Sequence, residues 1–160
     1  MVLRLVEKNP ARTIFTRFIP ALRPGEGHGM WQSYFRRWEE MTLERAGAGI
    51  IELVPPLDGF APPARTYDKA VYSPWFGGQL ARTLIAEEVD TLIISGGEAD
   101  MCVLATVMGA IDLGFRVVLA EDAICSTSDV AYDNILRLFN ERYSHHVETG
   151  SVEEILDWWK

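Results

Sequence analysis

The chain has 160 residues, of which 48% are hydrophobic and 24% are charged, and its formal net charge is −8. This length and balance fit one globular domain with a sizeable core, and they exclude a disordered chain. The acidic charge argues against nucleic acids and anionic membranes as partners, because both attract basic surfaces.

The N-terminal part of the chain predicts a helix, a strand and a second helix. Residues 3–6 have the pattern of a helix end, which Asn9-Pro10 terminates. Residues 12–18 are rich in β-branched and aromatic side chains and predict a strand. After a loop rich in proline and glycine, large apolar residues recur at helical spacing. These residues are Trp31, Tyr34, Phe35, Trp38 and Met41.

The middle of the chain predicts strands that alternate with helices. The apolar run 50–54 predicts a strand, and residues 68–72 predict an extended segment. Residues 80–89 predict a helix, and 91–95 form a continuous apolar run, typical of a parallel strand covered on both faces. Residues 99–113 predict a helix that is apolar almost all round and therefore buried.

The C-terminal part completes the alternation. Residues 116–120 predict another buried strand, and 132–143 predict an amphipathic helix. Ser151 and Glu154 have the spacing of a capping box that opens a final helix. The pattern predicts a three-layer α/β/α fold with a mostly parallel, Rossmann-like sheet. We expect a single domain over residues 1–160, incomplete at its N-terminus, because the chain begins within a helix and not with a buried strand.

The junction between the strand at 91–95 and the following helix is the best candidate for a chemical site. It places Cys102 in the first turn of a buried helix, after Gly96 and Gly97. Backbone N–H groups and the helix dipole favour a thiolate at such a position, and the same N–H groups can receive an oxyanion. A cysteine in an apolar helix can equally be a small core residue, so the junction alone leaves both interpretations open.

Two segments resemble the isochorismatase-like cysteine hydrolases. Residues 91–106, followed by Ala110, Gly114, Val117 and Asp122-Ala123, are similar to that family's nucleophile segment. In the family, a strand, a turn of the type Gly-x-x-Thr-x-x-Cys-Val and a buried helix present the cysteine. Residues 68–73, followed by Phe76 and Leu80, resemble its lysine segment.

The resemblance implies a cysteine hydrolase of this fold that cleaves a C–N amide-type bond of a small molecule. Cys102 would be the nucleophile and Lys69 the cation that holds its thiolate. The amides of Glu98 and Cys102 would form the oxyanion hole, and a cis peptide bond would lie between Gly97 and Glu98. The resemblance implies no cofactor, and it implies a homo-oligomer, since the family commonly forms dimers or tetramers.

Several features depart from the family pattern. The family's aspartate base, at the end of the first strand, has no counterpart here, and Asp100 and Asp122 occupy turn and strand-end positions instead. The nicotinamidase branch carries Asp-x-His after its second strand, where residues 17–20 read Arg-Phe-Ile-Pro. Three histidines show no ligand spacing, so we expect no catalytic metal and no nicotinamidase. They are His28, His145 and His146.

Other interpretations follow from these departures. The missing base favours, as the alternative, a catalytically silent copy that binds a ligand or oligomerises. A dinucleotide site is disfavoured, because residues 95–100 lack the Gly-x-Gly-x-x-Gly pattern. The aromatic stripe from Trp31 onwards is most simply a core-facing helix face, although Trp31 and Tyr34 can instead line an apolar substrate site. We interpret Cys125 as a core or loop thiol.

The sequence also predicts where the protein works. Two cysteines are too few for a disulfide scaffold and indicate free thiols in a reducing compartment. No apolar run reaches the length of a membrane span, and the first ten residues lack the features of a signal peptide. We therefore expect a cytoplasmic protein whose partner is a small-molecule substrate.

Overall fold

The computed structural model describes residues 1–159, which form an α/β fold with parallel sheets and helices on both faces. This fold confirms the predicted α/β/α class. The strands are β1 Ile14–Phe18, β2 Arg65–Lys69, β3 Thr91–Gly97, β4 Arg116–Cys125 and β5 Val147–Gly150. The α-helices are α1 Val2–Lys8, α2 Met30–Arg37, α3 Leu43–Ala46, α4 Pro55–Asp58, α5 Gln79–Ala86, α6 Leu104–Asp112, α7 Asp129–Arg142 and α8 Val152–Trp158.

The strands form two separate parallel sheets. One contains β1 and β2, in register from the pair Ile14–Arg65 to the pair Phe18–Lys69. The other has the order β3-β4-β5, so β3 lies at its edge. Within residues 1–159, no strand ladder joins the two sheets. The edge of β3 that points away from β4 is therefore open, which is uncommon for a strand of such apolar composition.

The core lies on both faces of the three-stranded sheet. Side chains of β4 alternate between the faces, as the pleat requires. Val117 and Leu119 pack with α6 and α7, where Phe139 is fully buried. Val118 and Ala120 pack on the other face, with Leu5 of α1 and Ile155 of α8. Burial on two faces explains why β4 is continuously apolar from residue 117 to 120.

The predicted strand at 50–54 is wrong. Residues Ala48–Ile51 form a 3₁₀ helix, and α4 begins with Pro55 at its first position. Ile50 and Val54 are 40% and 58% exposed. The side chain of Arg17 on β1 donates to the carbonyl of Ile51 at 3.1 Å, so a side chain and not a ladder holds this segment. A short apolar run does not by itself specify a strand.

Other boundaries differ from the sequence-based expectations. The extended segment expected at 68–72 ends at Lys69 but begins earlier, at Arg65. The helix expected at 99–113 begins with a π-helical turn over Ala99–Val103, and α6 follows it. The helix expected at 31–41 ends at Arg37, and a 3₁₀ turn over Glu39–Met41 follows.

The predicted capping box of the last helix is confirmed. The Ser151 side chain accepts from the amide of Glu154, while the Glu154 carboxylate accepts from the amide of Ser151 at 2.8 Å. Ser128 caps α7 in the same way, accepting from the amide of Ala131. Within residues 1–159, every helix is too short or too polar to cross a membrane.

Candidate active site

Cys102 lies in the π-helical turn that connects β3 to α6. The amides of Met101 and Val103, on either side of it, both donate to the carbonyl of Glu98, at 3.1 and 3.0 Å. Thr106 in α6 donates its hydroxyl to the carbonyl of Cys102 at 2.6 Å. Cys102 itself is partly exposed. The turn therefore fixes the backbone of the cysteine while leaving its thiol accessible.

The end of β4 supports the same turn. Gly97 pairs with Cys125, and a Cβ atom at Gly97 would lie 2.8 Å from the Cys125 sulfur, so only glycine fits there. Ser126 donates its hydroxyl to the Asp100 carboxylate at 2.5 Å. The peptide bond between Gly97 and Glu98 is cis, at the position that the family resemblance implies. Cys125 is an exposed thiol at the end of β4.

Lys69 ends β2, and the structure brings it to Cys102. Its ammonium nitrogen lies 3.3 Å from the Cys102 sulfur and 3.2 Å from the carbonyl oxygen of Val71. The same nitrogen lies 5.5 Å from the centre of the Phe18 ring, within the range of a cation–π interaction. Lys69 is only 7% exposed. A buried ammonium group needs such partners, because burial removes its hydration.

Aromatic rings surround the lysine–cysteine pair. The ring centres of Trp31 and Tyr34 are 5.1 Å apart, and those of Trp31 and Tyr72 are 5.0 Å apart. The Phe18 ring, next to the Lys69 ammonium, lies 6.0 Å from the Trp31 ring. Phe35 is buried behind them, whereas Trp31, Tyr34 and Tyr72 remain partly exposed. Trp31 and Tyr34, the two predicted substrate-binding residues, both lie in this cluster.

Tyr72 and Phe18 belong to the site although the sequence analysis did not assign them to it. Tyr72 follows Lys69 by three residues, and Phe18 is the register partner of Lys69 on β1. The closeness of Tyr72 to Lys69 could have been predicted from the sequence, because both residues lie in the same short segment, which ends at Ser73-Pro74. The closeness of Phe18 to Lys69 depends on strand pairing, which one sequence does not reveal.

The hydroxyl groups of Tyr34 and Tyr72 remain protonated at neutral pH. Burial raises the pKa of Tyr34, and the nearby Cys102 and Glu98 raise it further. Burial likewise raises the pKa of Tyr72, with additional contributions from Tyr34 and Cys102. The two hydroxyls also interact with each other, which lowers the pKa of Tyr34 and raises the pKa of Tyr72, so together they can offer one hydroxyl donor to a molecule bound beside the thiol.

The predicted oxyanion-hole amides belong to Glu98, which precedes the π-helical turn, and to Cys102, the fourth of its five residues. Within residues 1–159, no backbone carbonyl outside this turn accepts a hydrogen bond from either amide. Asp122, which was not assigned as a base, accepts from the amide of Val152 at 2.8 Å and so anchors the start of α8. The Asp100 carboxylate is occupied by Ser126.

The described residues do not offer a metal site. Between residues 1 and 159, no group of three or more His, Cys, Asp or Glu side chains is arranged to hold an ion. His28, His145 and His146 are all exposed.

The chain is thus a parallel α/β domain with a cysteine at a strand–helix junction and a buried lysine beside it. A sequence model of the isochorismatase domain matches residues 2–151. The chain therefore belongs to the isochorismatase family, and the predicted resemblance is confirmed.

Known proteins agree with this assignment. An uncharacterized isochorismatase family protein, YecD of Escherichia coli O157:H7, is 32% identical over 89 residues, and the match covers 56% of this chain and 46% of that protein. The structure of an isochorismatase family protein from Desulfovibrio vulgaris has a TM-score of 0.77 at 21% identity, covering 98% of this chain and 80% of that one. A cysteine hydrolase from Pseudomonas syringae pv. phaseolicola has a TM-score of 0.77 at 19% identity, covering 98% and 76%.

Proposed function

We propose that the protein is a cysteine hydrolase that cleaves a C–N amide-type bond of a small molecule, with Cys102 as nucleophile. The observation that carries this proposal is the 3.3 Å contact between the Lys69 ammonium and the Cys102 sulfur. A cation beside a thiol favours the thiolate, which is the reactive form. The position of Cys102 between a strand and a helix adds backbone amides to the same site.

The chemistry would take two steps. The Cys102 thiolate attacks the carbonyl carbon, and the amides of Glu98 and Cys102 stabilise the negative oxygen of the tetrahedral intermediate. The C–N bond then breaks, the nitrogen leaves as an amine with one added proton, and a thioester remains on the sulfur. Water adds to the thioester, the C–S bond breaks, and a carboxylic acid leaves as the thiolate is regenerated.

This sequence of steps needs a group that donates a proton to the amine and accepts one from water. Within residues 1–159, no carboxylate forms a hydrogen bond with Lys69 or Cys102. We propose that the working protein has one more strand beside the open edge of β3, with a carboxylate at its end. The division of the strands into two sheets supports this proposal, since the lysine and the cysteine lie on opposite sides of the division.

The aromatic cluster suggests what the substrate presents to the site. Trp31, Tyr34 and Tyr72 offer partly exposed ring surface and tyrosine hydroxyl groups near the thiol. We propose that they hold an apolar or planar acyl group, as binding pockets are generally lined by apolar and aromatic side chains with a few polar groups. Replacing Trp31 with alanine should then raise KM more than it lowers kcat.

The nucleophile can be tested on the chain as it stands. Mixing it with p-nitrophenyl acetate should release about one equivalent of nitrophenol in a burst and leave an acetyl group on Cys102, as read by peptide mass spectrometry. Cys102→Ala should abolish the burst, whereas Cys125→Ala, the matched control, should retain it. A burst that survives in Cys102→Ala, or an acetyl group found only on Cys125, would remove the proposal.

A second candidate is a catalytically silent domain that binds a ligand or oligomerises. The divided sheet and the absence of a carboxylate bonded to the Lys69–Cys102 pair, within the described residues, favour it. A panel of amides and ureido acids separates the candidates. In a protein that carries the additional strand, multiple turnovers that require Cys102 support the hydrolase, whereas one acylation without turnover of any compound favours the silent domain.

A further inference from the structure

The contact between Lys69 and Cys102 joins two parts of the molecule that no strand pairing connects within residues 1–159. Lys69 belongs to the β1–β2 pair, and Cys102 follows β3 in the other sheet. Within the described chain, two hydrogen bonds link residues 10–78 with residues 91–159. One is the Lys69–Cys102 contact itself, and in the other the indole N–H of Trp75 donates to the carbonyl of Thr106 at 2.8 Å. Side-chain contacts therefore set the distance between ammonium and sulfur, and they include the packing of Ile14, Tyr67 and Trp75 on the core of the three-stranded sheet.

Trp75 is packed tightly against the helix that follows Cys102. Its indole ring occupies the space at Gly109 of α6, where a Cβ atom would lie 2.9 Å from the indole nitrogen and closer still to the neighbouring ring carbon. On its other side, the ring stacks on Phe115, with ring centres 5.8 Å apart and an interplanar angle of 20°. The ring cannot move aside as the end of a flexible chain would.

Gly109 has no other structural explanation. It lies inside α6, and its backbone does not adopt the left-handed conformation that favours glycine. Alanine is the residue that a helix interior prefers, so glycine at this position disfavours the helix. The close approach of the Trp75 ring accounts for it, because any larger side chain would displace the indole.

The contact between Trp75 and α6 is connected to Cys102 by hydrogen bonds and to Lys69 by a short segment of chain. On one side, Thr106, whose carbonyl accepts from Trp75, donates its own hydroxyl to the carbonyl of Cys102 at 2.6 Å. On the other side, five residues separate Lys69 from Trp75 in the chain, and Pro74 among them is fully buried. The amide of Trp75 also donates to the hydroxyl of Ser73 at 3.2 Å.

We propose that Trp75 is a positioning residue: its indole, seated on Gly109 and bonded to Thr106, fixes the Lys69 ammonium beside the Cys102 sulfur. Trp75 does not itself touch the reacting atoms. This inference rests on the proposed function, because it concerns the reactivity of Cys102. It explains Gly109 within α6 and Trp75 after the lysine by the same packing contact.

The test measures the rate at which iodoacetamide labels Cys102 between pH 6 and 9, by peptide mass spectrometry. Cys125, an exposed thiol of the same molecule, is the internal reference. Gly109→Ala should slow Cys102 labelling about tenfold near neutral pH, because the sulfur loses its neighbouring cation. Labelling of Cys125 should not change. The matched control is Gly59→Ala, since nothing lies within 4 Å of a Cβ atom at Gly59.

A second substitution shows whether the effect passes through the lysine. Lys69→Met alone should slow Cys102 labelling, and Gly109→Ala should add little to it in the double variant, because both remove the same interaction. If the two effects multiply instead, or if Gly109→Ala labels like the parent protein, the positioning role of Trp75 is refuted. If Lys69→Met leaves Cys102 labelling unchanged, the proposed function fails, which is a different outcome.

Trp75→Phe covers the case in which Gly109→Ala does not fold. Phenylalanine keeps a ring in place but has no N–H for the carbonyl of Thr106. We expect Cys102 labelling in this variant to slow at least threefold relative to Cys125. A folded Trp75→Phe variant with the parent labelling ratio would overturn the inference.

Discussion

Replacing the buried ammonium of Lys69 with the apolar side chain of methionine should lower the reactivity of Cys102 without lowering the stability of the fold. Lys69 is 7% exposed, and its nitrogen contacts the Cys102 sulfur, the Val71 carbonyl and the Phe18 ring. We predict that Lys69→Met is as stable as the parent protein or more stable by about 1 kcal/mol, because methionine removes the cost of burying a charge and the thiol left behind, which can stay neutral, is not an unpaired buried charge.

The magnitude follows from opposing contributions. Burial of an ammonium group costs several kcal/mol, whereas two hydrogen bonds from a charged donor return about 1.5–3 kcal/mol each and the Phe18 ring about 0.5–1 kcal/mol. These contributions nearly cancel. Burial of a methionine side chain contributes about 1.5–3 kcal/mol, from which the loss of a donor to the Val71 carbonyl subtracts about 1–3 kcal/mol. The difference lies close to zero.

The assay is urea unfolding followed by the fluorescence of the tryptophans, with iodoacetamide labelling of Cys102 on the same samples. The free energy of unfolding should stay equal or rise, while Cys102 labelling falls. Lys8→Met is the control, since Lys8 is exposed at the end of α1 and its replacement should change stability by less than about 0.5 kcal/mol. A loss of more than about 2 kcal/mol in Lys69→Met would refute the reasoning and make Lys69 a structural residue.

Three further predictions concern the core, a helix cap and the tyrosines. Phe139→Ala should lower the free energy of unfolding by about 3–5 kcal/mol, because Phe139 is fully buried. Phe76→Ala is the control and should change the free energy of unfolding little, because the Phe76 side chain is 77% exposed. Equal effects of the two substitutions would contradict the assigned core. Ser151→Ala should cost about 1 kcal/mol in the same assay by removing the capping box of α8, while Ser33→Ala on the exposed face of α2 should not. Titration of the absorbance at 295 nm should show tyrosines that ionise above the ordinary range, because burial raises the pKa of Tyr34 and of Tyr72 in the folded protein. Their stabilising contribution is present below about pH 10 and is lost as the pH rises through the folded values, so Tyr34→Phe and Tyr72→Phe should each reduce the late-ionising absorbance and the alkaline destabilisation. Tyr132, whose pKa burial also raises, should retain part of that absorbance in both variants.

The sequence by itself determined the fold class and the position of the candidate nucleophile in it. The apolar runs at 91–95 and 116–120 are parallel strands covered on both faces, and the glycine-bearing junction after the first of them carries Cys102. The capping box at Ser151 was also readable. All of these depend on hydrogen bonds or periodicity within a few residues, so a short window of sequence contains them.

Only the tertiary structure decided how the two sheets are arranged and what brings Lys69 within 3.3 Å of Cys102. The family resemblance implied the partnership of these two residues, but the indole that seats on Gly109 had no signal in a single sequence. The run at 50–54 failed as a strand for the same reason, since its neighbours, and not its composition, determine its conformation. Contacts between residues more than 30 positions apart depend on packing, and local patterns carry no information about packing.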